Sequence, residues 1–141
     1  MSRIQINFPN QNVFSTEIKI RITDLNYGGH LGNDSMLSIL HETRVRFLKH
    51  FGYSEMNVAG VGIIMADAAI QFKTEAFYGE RLKIEIAVGD FSRVSFDIYY
   101  RILSGTREVA LAKTGIVFYN YETKKVAAVP QEFRIKFESK E

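Results

Sequence analysis

The sequence predicts an α+β fold in which an antiparallel sheet of about five strands packs on one long helix. Three observations support this prediction. One segment of about 17 residues, Ser35 to Phe51, has the apolar periodicity of a helix and follows a single strand-like segment. Four or five strand-like segments come after it without another long helix. The 141 residues include 11 Phe and 7 Tyr, and aromatic side chains suit pleated surfaces.

The first predicted strand lies within residues 13–23, VFSTEIKIRIT. Isoleucine occupies every second position in its latter half and charged residues lie between, which is typical of a half-buried strand. If this alternation continues, Asp24 and Asn26 fall on the isoleucine face and point inward. Polar groups in that position need hydrogen-bond partners, so both residues are candidates for a functional site.

The segment after this strand is predicted to form the long helix, with Asn33 or Asp34 as its N-cap. One face of the helix carries a predicted apolar stripe, formed by Met36, Leu37, Leu40, Thr43, Phe47, Leu48 and Phe51. Arg44 falls within the stripe, and we expect it to pair internally with an acid such as Asp24. Glu42 lies on the opposite, polar side of the helix.

The rest of the chain is predicted to consist of strands. Residues 60–72 are apolar with little alternation, as in a central strand. Residues 81–88, 95–103 and 108–119 are the next three predicted strands, and a short last strand is expected near residues 132–137. One helix leaves part of such a sheet uncovered, so we expect self-association as a homodimer or homotetramer.

Composition and length narrow the class of protein. The 141 residues fit one domain, residues 1–141. A net charge of +2 gives no electrostatic argument for nucleic acid, and the lack of cysteine excludes disulfides, thiolate catalysis and cysteine-bound zinc. Three scattered histidines and no phosphate-binding glycine motif indicate neither a metal nor another cofactor. No apolar run suits a signal peptide or a membrane span, so a cytoplasmic location is expected.

A polar, glycine-rich junction separates the first strand from the helix. Residues 24–33, DLNYGGHLGN, precede a helix that carries HETR at residues 41–44. This pattern resembles the hotdog-fold thioesterases, especially the 4-hydroxybenzoyl-CoA thioesterase-like acyl-CoA thioesterases and the plant acyl-carrier-protein thioesterases. Residues 69–88, AIQFKTEAFYGERLKIEIAV, are similar to a second signature of that family, and the resemblance extends from Glu17 to about Pro130.

The resemblance implies a fold and an activity. The fold is the hotdog fold, in which the sheet wraps around the long central helix, usually in a dimer that holds the acyl group between subunits. The activity is hydrolysis of acyl-CoA or acyl-carrier-protein thioesters, with the carbonyl at the helix N-terminus, where unpaired amides and the helix dipole stabilise negative charge. Amides near Gly29, His30 and Leu31 would bind the oxyanion, and Gly32 would allow the substrate to approach the backbone closely.

The catalytic groups depart from the family pattern at Asn26. Most relatives carry a catalytic aspartate there, and an amide has no basic lone pair to replace it. Asn26 and His30 would orient water or the thioester carbonyl. The resemblance implies Glu42 as the general base, with His41 as an alternative to it. Asp24 is a further candidate because of its predicted inward position on the strand. A purely structural interpretation makes Asn26 an Asx-turn residue and Asp24 an acceptor of turn amides.

Two further expectations concern the substrate and the competing functions. Arg93, Lys124 and Lys125 are candidates for contacts to CoA phosphates. The main alternative function is a non-catalytic acyl-thioester binding protein, which the loss of the aspartate favours. A hotdog hydratase ranks third. Hydratases of this fold usually place their Asp and His closer together than the six residues between Asp24 and His30, and no hydratase-type motif surrounds these two.

Overall fold

The computed structural model describes residues 3–138, which form a single sheet with two helices. The elements are β1 (Phe14–Lys19), a 3₁₀ turn (Ile22–Asp24), α1 (Asn33–His50), β2 (Gly62–Phe72), β3 (Arg81–Gly89), β4 (Ser95–Ser104), β5 (Arg107–Asn120), β6 (Lys125–Val126) and α2 (Gln131–Phe137). The five main strands are antiparallel in the order β1-β3-β4-β5-β2, and β6 adds a short pairing to β5. The predicted α+β class is therefore confirmed. Neither helix in this part of the chain is long and apolar enough to cross a membrane.

One apolar core joins α1 to the sheet. The buried face of α1 is formed by Met36, Ile39, Leu40, Thr43, Arg44, Phe47 and Leu48. The predicted stripe differs at Leu37, which is 44% exposed, whereas Ile39 is only 4% exposed. Leu37 is exposed because it lies beside Met65 at the rim of the sheet and not over its centre.

β2 lies at an edge of the sheet, which corrects the prediction of a central strand. Its first two residues are buried, but Ile64 and Met65 are 37% and 47% exposed. The prediction was wrong because a continuous apolar sequence does not reveal the position of a strand in its sheet. A central strand and an edge strand that another molecule covers have the same sequence pattern. An apolar edge strand is a template for pairing with a further chain.

The C-terminal segment forms the helix α2, and the prediction of a strand near residues 132–137 was wrong. Phe133 and Phe137 are four residues apart, so a helix places both on one face, where both are buried. Phe133 packs against rings of β4 and β5, with centroids 4.8 Å from Phe96 and 5.5 Å from Phe118. Burial of these aromatic rings outweighs the strand propensity of a short aromatic segment.

The alternation of the first strand stops before the predicted site residues. Ile20 is buried, but Ile22 is 66% exposed because the 3₁₀ turn begins there. The turn rotates Asp24 into the interior, where it is 4% exposed, and leaves Asn26 at the surface. The inward orientation predicted for Asp24 is confirmed, whereas that predicted for Asn26 was wrong.

Candidate active site

The loop between the 3₁₀ turn and α1 is held by the side chain of Asn26. Its Oδ1 accepts hydrogen bonds from the amides of Gly28 at 2.9 Å and His30 at 3.4 Å, which is the Asx-turn role. A Cβ on Gly28 would lie 3.2 Å from Asn26 Oδ1 and 3.4 Å from His30 Nε2. The missing side chain of this glycine therefore leaves room for both the Asn26 amide and the His30 ring.

A second loop, residues 73–80, fixes the position of His30. The amide of Leu31 donates to the carbonyl of Ala76 at 2.8 Å, and His30 forms a β-bridge with Phe77. The amide of Gly79 donates to the carbonyl of Ile20 at 3.1 Å. The two loops are thus paired at His30 and Leu31, and His30 faces residues that follow β2.

The 73–80 loop is anchored by Glu80. Its carboxylate accepts the Phe77 amide at 2.6 Å and the Ser104 hydroxyl at 2.9 Å, and it also pairs with Arg107. Burial raises the pKa of the Glu80 carboxyl, but these hydrogen bonds and the Arg107 charge outweigh burial and lower the pKa below its usual value. An ionised side chain therefore ties the loop opposite His30 to the end of β4 and the start of β5.

A cleft of about 230 Å³ opens between the start of α1 and the 73–80 loop. It is lined by His30, Leu31, Asn33, Met36, Phe72, Lys73, Thr74, Glu75, Ala76 and Val109. The His30 side chain is 34% exposed there. The cleft therefore combines a titratable ring with an apolar wall, as in binding sites for small molecules.

The amides predicted to bind an oxyanion all have acceptors within the protein. The amide of Gly29 donates to the carbonyl of Asn26 at 3.0 Å, and that of Gly32 donates to the carbonyl of Asp24 at 3.0 Å. The amides of His30 and Leu31 are bonded as described above. As oxyanion donors, Gly29, Leu31 and Gly32 would have to give up bonds that hold the loop together.

The start of α1 supplies a different set of donors. The first bond of the helix runs from the Met36 amide to the Gly32 carbonyl at 3.2 Å, and the N-cap, Gly32, has no side chain to cap the helix. The amides of Asn33, Asp34 and Ser35 precede that bond and point out of the helix end, where the helix dipole favours negative charge. Asn33 also lines the cleft with His30, so this end of the helix borders the cleft.

The two predicted carboxylates, Asp24 and Glu42, lie in another cleft. This second cleft, of about 490 Å³, runs along the side of α1 that carries Ser38 and Glu42. Asp24 Oδ2 accepts the Arg21 amide at 2.8 Å and its Oδ1 pairs with the Arg21 guanidinium at 3.2 Å. Glu42 pairs with Arg46 at 2.8 Å. The structure therefore brings these two acids together but does not bring either into the cleft that His30 lines.

Arg44 pairs with Glu55 and not with Asp24. Arg44 Nε lies 3.0 Å from Glu55 Oε2, and His41 Nε2 lies 2.9 Å from Glu55 Oε1. Partial burial raises the pKa of the Glu55 carboxyl, but the hydrogen bonds from His41 and Arg44 outweigh burial and lower the pKa below its usual value. The predicted Arg44–Asp24 pair was wrong because the 3₁₀ turn places Asp24 next to Arg21.

Sequence reasoning missed one acid in the first cleft. Glu75 lines it, and its Oε1 lies 3.9 Å from His30 Nε2. The two residues are 45 positions apart in the chain, so no local spacing connects them. The only available signal was that Glu75 lies within the second family-like segment, between its strand and its glycine turn.

The predicted basic residues lie at the opposite end of the sheet from this cleft. Arg93 precedes β4. Lys124 lies at the turn after β5 and Lys125 begins β6, next to the part of β5 that pairs with the first residue of β2. The cleft lies at the last residue of β2, Phe72, so the length of β2, roughly 30 Å, separates them. Within one chain these residues do not contact a ligand in the cleft.

Comparisons with known proteins agree with this fold. Residues 20–137 match the model of the thioesterase-like superfamily. A curated relative, the 1,4-dihydroxy-2-naphthoyl-CoA hydrolase of Microcystis aeruginosa, is 28% identical over 118 residues, which cover 82% of this chain and 86% of the relative.

Solved structures show the same architecture. The 1,4-dihydroxy-2-naphthoyl-CoA thioesterase from Synechocystis has a TM-score of 0.77 and 24% identity, and the match covers 86% of this chain and 92% of that one. A gentisyl-coenzyme A thioesterase has a TM-score of 0.78 and 17% identity, with 88% and 99% covered. These likenesses show the hotdog fold predicted from the sequence. Since the family model spans well over half of the residues, the chain belongs to the thioesterase-like superfamily.

Proposed function

We propose that this protein hydrolyses acyl thioesters of coenzyme A or of acyl-carrier protein, releasing a carboxylic acid and a thiol. The observation that carries the proposal is the first cleft, where His30, the open end of α1 and an apolar wall meet. Membership of the thioesterase-like superfamily supports the reaction class. The name of the Microcystis relative, a CoA-thioester hydrolase, supports coenzyme A as the carrier.

The end of α1 suits a thioester carbonyl. As water attacks, negative charge develops on the carbonyl oxygen, and we infer that the unpaired amides at the start of α1, beginning with that of Asn33, donate hydrogen bonds to it. The helix dipole adds to this stabilisation, and a single well-placed donor is worth about 3 kcal/mol in the transition state. This assignment moves the oxyanion site by a few residues from the glycines predicted from the sequence.

The acyl group would lie along the apolar wall of the cleft. Leu31, Met36 and Ala76 form its buried part, and Phe72 at its rim is 49% exposed. Burial of an acyl or aromatic group there is favourable in proportion to the apolar area removed from water.

Dimerisation through β2 is part of the proposal. A two-fold axis at this edge would pair β2 with β2 of a second copy in antiparallel fashion, as identical edges require. The Gly62 end of one copy would then lie beside the Phe72 end of the other. That arrangement would bring Lys124 and Lys125 of the second copy towards the cleft, where they could contact the phosphates of coenzyme A.

Steady-state hydrolysis of a panel of aliphatic and aromatic acyl-CoA thioesters, followed by thiol release, tests the reaction. We expect turnover above the buffer rate for at least one thioester, and a loss of about 100-fold or more in His30→Gln. His50→Gln is the matched control, because His50 lies at the other end of α1 and packs on Phe14 and Phe51. Turnover no faster than buffer across the panel, or an unchanged rate in His30→Gln, would contradict the proposal.

Asp24 and Glu42 stay predicted catalytic carboxylates, and the same assay examines them. Glu42→Gln removes an exposed carboxylate that pairs with Arg46, so the fold should be retained. A full rate in Glu42→Gln excludes it as the base. Asp24→Asn also weakens the pair between the buried Asp24 carboxylate and the exposed Arg21 guanidinium, so its rate is interpretable only alongside a melting curve.

A non-catalytic acyl-thioester binding protein is the second candidate. The observation in its favour is that Asn26 stands where most relatives carry the catalytic aspartate, and its Oδ1 is already used by two loop amides. Binding of an acyl-CoA measured by calorimetry without any turnover would identify this function.

A further inference from the structure

We propose that Glu75 is a positioning residue for the hydrolysis, holding the His30 ring while that ring takes a proton from the attacking water. The inference rests on the proposed function and assigns the base to His30, in place of Asp24 and Glu42, which line the other cleft. Glu75 lies outside the junction that carries the family-like motif, on the loop that pairs with it.

The pairing of the two loops places Glu75 next to His30. His30 lies directly opposite Phe77 in a β-bridge. Side chains two residues apart on an extended segment point the same way, so Glu75 is the diagonal neighbour of His30 on the same face. The His30 Nε2–Glu75 Oε1 distance of 3.9 Å is longer than a hydrogen bond, and catalytic hydrogen bonds are often long before substrate binds.

Of the three candidate acids Asp24, Glu42 and Glu75, only Glu75 pairs with no arginine. Asp24 and Glu42 each pair with an arginine at 3.2 Å or less. For Glu75, the only ion-pair partner among residues 3–138 is His30. The other charged residue of the cleft, Lys73, pairs with Glu108 at 4.0 Å.

The chemistry requires a base and an acceptor for its positive charge. The oxygen of water forms a bond to the thioester carbon while one of its protons moves to the His30 ring. The carbon–sulfur bond then breaks, and the imidazolium returns the proton to the departing thiolate. Glu75 accepts a hydrogen bond from the ring N–H and stabilises the imidazolium between these two steps, as a carboxylate beside a catalytic histidine does.

Kinetics of Glu75→Gln on the best thioester of the panel test this role. We expect kcat to fall about 10- to 100-fold with KM changed by no more than about threefold, because the carboxylate contacts the ring and not the substrate. Glu75→Asp keeps the charge on a shorter side chain and should recover part of the lost kcat. Glu132→Gln is the matched control: this exposed glutamate lies on α2 and accepts a hydrogen bond from Tyr53, and its substitution should leave kcat unchanged.

A double-substituted protein separates positioning from a structural role. If Glu75 acts through His30, Glu75→Gln should have no further effect on kcat in a His30→Gln background. Full activity of Glu75→Gln, or losses that multiply in the double variant, would overturn the inference and leave the proposed hydrolysis intact. If the unsubstituted protein hydrolyses none of the thioesters, the proposed function fails, and the inference fails with it.

Discussion

The exposed edge strand leads to a prediction about assembly. In the substitution Met65→Lys a charge replaces an apolar side chain that lines the rim between β2 and α1, next to the exposed Leu37. If β2 edges pair in a dimer, this rim is buried in the interface. We expect the substitution to weaken the dimer while leaving the fold of each subunit unchanged.

The magnitude follows from the exposure of the side chain. Met65 is 47% exposed, and complete burial of a methionine side chain is worth about 1.5–3 kcal/mol. About half of that burial energy remains to be gained when the interface forms. The two-fold axis places two copies of Met65 in the interface, so the substitution costs the dimer about 1.5–3 kcal/mol of association free energy. The dissociation constant should therefore rise about 10- to 100-fold, and the desolvation of lysine adds to this effect.

Sedimentation velocity over a dilution series measures the change. Ile135→Lys is the matched control, since Ile135 is 65% exposed on α2 and lies away from the edge. We expect Met65→Lys to shift the dimer–monomer transition to higher concentration and Ile135→Lys to leave it in place. A monomeric unsubstituted protein at all concentrations, or equal behaviour of the two variants, would refute pairing through β2.

Two further predictions concern stability. Phe133→Ala should cost about 3–5 kcal/mol in the free energy of unfolding, because the ring is fully buried; Ile135→Ala in the same helix should cost under about 0.5 kcal/mol, and denaturant titration compares the two. The pKa of Glu55 is lowered in the folded state, so its ionised form stabilises the fold. This stabilisation is fully present above the unfolded pKa of about 4.3 and is lost as the pH falls through the folded pKa. The Glu55→Gln variant should therefore be less stable than the unsubstituted protein at neutral pH and lose less stability on acidification. Melting curves across that pH range measure both proteins, and an equal loss of stability in the two would contradict this prediction.

The fold was predictable because its local signals agree with one another. The isoleucine alternation in β1 and the apolar face of α1 each have a single interpretation. β2 and α2 were misjudged for different reasons. The place of β2 in the sheet depends on pairings with β5, whose residues lie more than 30 positions away, whereas α2 is a helix because the core needs Phe133 and Phe137 on one side.

The candidate site was predictable only as far as it is local. His30 and Asn26 lie four residues apart in one loop, and the structure keeps them together. Asp24 was predicted to join them, but a single 3₁₀ turn redirected it to Arg21. Glu75 lies on the 73–80 loop, which comes next to the His30 loop only when the chain folds. Sequence spacing therefore carries no information about its place in the site.

The 73–80 loop links the edge strand β2 to the candidate site. It leaves the edge strand β2 at Phe72 and enters β3 at Arg81, and these strands are separated in the sheet by β4 and β5. The loop must therefore cross the end of the sheet, and it pairs with the loop that carries His30 as it does so. In the proposed dimer, pairing of β2 would act directly next to the first residues of this loop, Lys73 to Glu75, which form one wall of the cleft. Assembly and the alignment of Glu75 with His30 are thus expected to depend on the same short segment.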